Sequence, residues 1–171
     1  GTIVAGDASA LGTGAVTVGA GGELNVANGV TVSVGTVTLS GGKITGDSIA
    51  VAGGGTIHAT GGEVSAVIKD GSSQTNVSKT GLDTLKLLGT NTYTGQTTIA
   101  GGVVEVGAQD AFGNGTVALK NGTIRVSDSV AGATLGSILS IQGDATLSGG
   151  TSSLNQNGAI DLDGATRSVT V

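Results

Sequence analysis

Cysteine, proline, methionine and tryptophan are absent from this chain of 171 residues, and tyrosine and phenylalanine occur once each. Without cysteine there are no disulfides and no thiolate metal sites, which fits a chain that must stay unfolded while it crosses a membrane. Without proline, and with no strict three-residue glycine period, a collagen triple helix is excluded. Charged residues make up only 11% of the chain and the formal charge is −5, an acidic balance that argues against nucleic acid or an anionic membrane surface as a partner. No apolar run approaches membrane-spanning length, so no direct membrane insertion of this segment is expected, and no basic-then-apolar start marks a signal peptide. With methionine absent throughout, the chain is expected to be a mature or excised piece of a larger protein, any signal peptide or anchor lying outside it.

Glycine is abundant, with 34 residues. Val, Ile and Leu together still make about a quarter of the chain, above the level of a disordered one, so the glycines punctuate a folded pattern. Short alternating segments run from end to end: 15–18, 23–26, 30–34, 36–39, 56–59, 103–106, 116–119, 123–126 and 145–148. Most read as strands with one apolar face. Turn signals stand between them at Gly21-Gly22, Asn28-Gly29, Gly41-Gly42, Gly61-Gly62, Gly101-Gly102, Asn121-Gly122 and Gly149-Gly150, at the spacing of serial short strands. The densest apolar run, 82–88, also reads as a strand, and nothing reads as a long amphipathic helix.

Such spacing alone allows a sandwich, a barrel or a parallel β-helix. Internal repetition separates them. Residues 1–21 align without a gap on 102–122, an offset of about 100 residues, pairing Leu11 with Phe112, Gly12 with Gly113, Gly14 with Gly115, Val16 with Val117 and Val18 with Leu119. Skipping Gly22 then places Leu24 on Ile124 and Val26 on Val126. A closed barrel does not extend by repetition, whereas a solenoid does. The expectation is an all-β fold, a right-handed parallel β-helix, with residues 1–171 forming a single β-solenoid segment of a tandem array. At about 20 residues per coil it would make roughly eight coils and a rod about 40 Å long.

The stretch 79–106 carries the most specific signal. Lys79-Thr80-Gly81, Thr84-Leu85-Lys86-Leu87, Gly89, Asn91-Thr92-Tyr93-Thr94-Gly95, Thr97-Thr98-Ile99 and Gly101-Gly102-Val103 follow in order, and together they resemble the passenger-associated repeat of bacterial autotransporters. The pattern departs chiefly at Asp83, where that family usually has a second glycine. The best-matching window is about a sixth of the chain. The resemblance implies a secreted, surface-displayed β-solenoid tethered to an outer membrane, whose repeats help the passenger fold outside the cell, with displayed sequence elsewhere contacting host or neighbouring cells.

Candidate chemistry is sparse. Asp161 and Asp163 lie at i and i+2 on one strand face, and they are the only motive for a carbohydrate-active β-helix enzyme; no third acid or base is near in sequence, so a solvated face is the preferred reading. His58, the sole histidine, alternates with Ile57 and is expected outward as surface decoration. Phe112 pairs with Leu11 in the repeat and is expected to pack, and Tyr93 is expected at a structural corner with its ring packed and its hydroxyl bonded or wet. Gly53-Gly54-Gly55 lacks the lysine and the helix of a phosphate loop. The Asn-x-Ser/Thr triplets at Asn76, Asn114 and Asn121 are read as turns. No catalytic, cofactor-binding or metal-ligating residue is expected, and no cofactor. The expected partners are neighbouring coils of the same array or other copies end to end, which leaves a self-associating matrix or filament protein as the alternative function.

Overall fold

Strands of a few residues with every second side chain apolar cannot bury a core alone, and stacking solves the problem. The computed structural model describes residues 1–149 and 152–171. Sixteen of its strands join in one sheet in which every registered pair is parallel, and Gly132–Leu135 pairs with Ser153–Gln156 in a second sheet. Each strand pairs with others about one coil away in sequence, and the chain winds through about eight coils. The fold is a parallel β-solenoid, and the one helical segment among the described residues is the 3₁₀ turn Ala52–Gly54. No helix of the described residues is long and apolar enough to cross a membrane.

Three sides can be followed along the stack. The first runs through Thr2–Ala5, the start of Glu23–Val34, the middle of Thr36–Val51, the end of Thr56–Val64, then Thr84–Leu87, Val103–Val106, Gly122–Val126 and Ala145–Ser148. The second runs from Ala15–Gly19 through Asn76–Lys79, Thr97–Ile99 and Val117–Leu119 to Leu139–Ile141. Early coils close the third side with strands such as Val67–Asp70. Alternation sends one set of side chains inward on each side. Leu24, Ile44, Val64, Leu87, Val106 and Val126 form one inward row and are all buried. At about 1.5–3 kcal/mol for each fully buried aliphatic side chain, such rows are the main source of stability.

Several expected breaks prove to be corners within longer strands. Asn28-Gly29, Gly41-Gly42 and Gly61-Gly62 lie inside the strands Glu23–Val34, Thr36–Val51 and Thr56–Val64, where the register shifts and the chain bends without ending. Gly150, half of the expected Gly149-Gly150 turn, lies outside the described residues. The expected strand at 82–88 shrinks to Thr84–Leu87. Gly81 takes φ +68° and turns the chain at that corner, so Leu82 points outward and is 90% exposed. This wider corner also changes the register of the internal repeat. On the second side Val16 and Val117 share one inward row, five coils apart. On the first side, by contrast, the row from Leu24 leads to Val126, not to Ile124.

Candidate functional site at the motif coil and the charged side

In Asn76–Lys79 the inward positions are Val77 and Lys79. Lys79 thus enters an aliphatic row, between Leu39 and Ala59 on one side and Ile99 and Leu119 on the other, and it is fully buried. Its aliphatic stem continues the row, while Nζ turns to the corner and donates to the carbonyls of Thr80 (2.7 Å), Gly81 (3.1 Å) and Gly101 (3.1 Å). Burial pushes the ammonium below its ordinary range, and the Asp83 carboxylate opposes that shift. Gly102 leaves room for the amine, because a Cβ there would stand 2.7 Å from Nζ. The Lys-Thr-Gly and Gly-Gly elements of the motif are therefore two halves of one corner.

On the third side of the same coil the chain stops forming strands, and side chains replace the missing backbone ladder. The carbonyl of the buried Asn91 side chain accepts from the Ile68 N–H of the coil before (2.8 Å), and its amide donates to the Ala111 carbonyl of the coil after (2.6 Å). Tyr93 is fully buried, and its hydroxyl lies 2.5 Å from the buried Thr97 Oγ1. Burial raises the phenol above its ordinary pKa, the Thr97 hydrogen bond opposing it. Asp70 reaches forward one coil. Burial acts to raise its pKa, but hydrogen bonds from the Thr75 and Thr94 N–H groups and from the Thr94 hydroxyl (2.9, 3.0 and 2.7 Å) outweigh that and hold the carboxyl below the usual range.

The corner leading into the second side is closed by glycine for steric reasons. A Cβ at Gly95 would lie 2.1 Å from the Thr75 carbonyl oxygen, and one at Gly115 would lie 1.8 Å from that of Gly95. Asn76 serves the same corner, its Oδ1 accepting from the Gln96 N–H at 2.9 Å, in keeping with a turn-building role.

The outward row of the first side carries charge. Glu23, Lys43, Glu63, Lys86, Glu105 and Arg125 occupy successive register positions. Lys43 and Glu63 approach to 3.5 Å, Lys86 and Glu105 to 3.8 Å, and Arg125 donates to Glu105. Burial acts to raise the Glu105 pKa, but the Arg125 hydrogen bond and the charges of Lys86 and Arg125 hold the carboxyl below its usual range. The even spacing of Glu23, Lys43 and Glu63 in the sequence is the signal that could have found this row.

The residues weighed for chemistry fall elsewhere. Asp161 and Asp163 are exposed near the far end, where Asp161 Oδ1 accepts from the Asp163 N–H (2.9 Å) in a local turn with Asp163 at φ +55°. Among the described residues no group of three or more His, Cys, Asp or Glu is placed to hold a metal ion. His58 is outward and exposed, between Thr38 and Ser78 on neighbouring coils. Phe112 is buried in the core, as its pairing with Leu11 implied. The polar groups of the motif coil thus direct their hydrogen bonds to its own corners and, through Lys79 and Asn91, to neighbouring coils, the arrangement of a structural joint. Compared with known families, residues 77–106 match the passenger-associated-transport-repeat model, which supports an autotransporter passenger repeat at this coil. No curated protein and no solved structure matches the chain.

Proposed function

From the passenger-associated-transport-repeat at residues 77–106 we propose that the chain is a non-catalytic stalk segment of a secreted, surface-displayed autotransporter passenger, serving secretion, display and, through sequence elsewhere in the parent, adhesion. The observation that carries this reading is the way the motif's buried polar residues Lys79 and Asn91 fasten one coil to the next, while Tyr93 braces the corner within the coil. Each coil that docks outside a membrane buries aliphatic rows that would have to be re-exposed before the chain could slip back. Further coils of a tandem array are expected to continue the stack.

The register allows a clean test. Removing residues 84–102 lets Val103 take the position of Thr84, so one coil is lost without a change of phase. Removing residues 43–62 does the same for Lys43 and Glu63, outside the motif, and it matches the first deletion in charge, since it sets Glu63 beside Glu23 as the first sets Glu105 beside Glu63. Carried ahead of a translocating outer-membrane barrel, the first deletion is expected to reduce surface display and protease resistance, and the second to leave both near the parent level. Full display and protection after loss of the motif coil would contradict the proposal.

A further inference from the structure

The inward rows do little to tell one coil from another. Leu24, Ile44, Val64, Leu87, Val106 and Val126 are similar aliphatic side chains. A coil that docked with its neighbour skipped, or slid by two residues, would keep its apolar side chains inward and lose little hydrophobic contact. From Thr17 through Thr38, His58 and Ser78 to Thr98 the neighbouring outward row carries no Asp, Glu, Lys or Arg and discriminates no better over these coils.

The charged row does discriminate. Along Glu23, Lys43, Glu63, Lys86, Glu105 and Arg125 the sign reverses at every coil, so each charge from Lys43 to Glu105 faces opposite charges on both sides. Docking with one coil skipped would bring Glu63 onto Glu23, or Lys86 onto Lys43, and so set like charges against each other. A slip of two residues would take each charge out of register. The cations are the better exposed members, with Lys43 at 56% and Glu63 at 25% of side-chain surface, while Glu105 is 12% exposed between Lys86 and Arg125. The carboxylates therefore lie tucked beneath cations supplied by the adjacent coils.

We propose that this ladder is a stacking code: the alternating sign sets each coil against docking with one neighbour skipped or out of register as the solenoid assembles. Each newly docked coil leaves one charge at the growing edge, and the following coil brings the opposite one. The inference rests on the solenoid geometry alone, so it stands or falls separately from the secretion reading.

Exchanging two rungs tests it without changing composition or net charge. The pair Glu63→Lys with Lys86→Glu keeps those two attracted to each other but sets like charges at Lys43 with position 63 and at position 86 with Glu105. The pair Glu63→Gln with Lys86→Gln removes the charges at similar side-chain size. In low salt the urea midpoint and the refolding yield are expected to fall in the order parent, Gln pair, exchanged pair, with the exchanged pair roughly 0.5–1 M below the parent. At 1 M salt, where the screening length is about 3 Å, the three are expected to converge. An exchanged pair that matches the parent or the Gln pair in low salt would overturn the proposal. So would a loss that remains undiminished in high salt, which would trace to packing and not to charge.

Discussion

Replacing Tyr93 with alanine is expected to lower the unfolding free energy by about 3–5 kcal/mol, the range for emptying a fully buried aromatic site. Tyr93 is the largest fully buried side chain among the described residues, and it lies where the third side has no strands to share the load. Its hydroxyl also meets Thr97 Oγ1, which stands in an inward row between Val77 and Val117. Tyr93→Phe keeps the ring and strands the Thr97 hydroxyl, and it is expected to cost about 1–2 kcal/mol. Adding Thr97→Val to Tyr93→Phe removes both halves of the pair and should recover most of that smaller loss. Urea unfolding followed by circular dichroism checks all three variants. A Tyr93→Ala protein within about 1 kcal/mol of the parent would show that the ring does not hold the coil together.

Gly115→Ala is expected to be nearly as damaging, at about 3 kcal/mol, the upper end for overpacking, because the new methyl strikes backbone and not a side chain that can turn away. Such a Cβ would stand only 1.8 Å from the Gly95 carbonyl oxygen. Gly14 supplies the control. The sequence repeat pairs it with Gly115, and it opens the same corner one stack position earlier than Gly35, whose N–H donates to the Gly14 carbonyl. A Cβ at Gly14 meets nothing within 4 Å. Gly14→Ala should therefore be close to neutral, or slightly stabilising through the unfolded chain. Equal effects at the two positions, measured by the same unfolding curves, would mean that coil stacking does not set the glycine requirement.

The contrast between these glycines shows what the sequence could reveal. A glycine at a recurring position marks a corner, but only the neighbouring coil decides whether a methyl group fits there. Inward rows such as Val37, Ile57 and Val77 were legible because alternation and coil spacing are both periodic. Lys79 was harder to see. Alternation puts it on the same face as Val77, yet a charged side chain is ordinarily placed outside, and its burial depends on three carbonyls gathered at a corner by two different coils. Asn91 left no trace in the strand pattern, since its amide works where strands are missing. The resemblance over residues 79–106 pointed to the right segment, while the physical reason for its lysine, asparagine and tyrosine became visible only with the neighbouring coils in place.

The central claim is that successive segments stack in parallel at one strand spacing per coil. The absence of cysteine makes it directly measurable, because introduced thiols will be the only ones present. Thr17 and Asp161 are exposed, outward positions of one register row, seven coils apart along the second side. With spin labels at Thr17→Cys and Asp161→Cys, electron-spin distance measurement should give a narrow distribution near roughly 34 Å, from seven steps of about 4.8 Å. A broad distribution, or a distance well below about 25 Å, would contradict the stack.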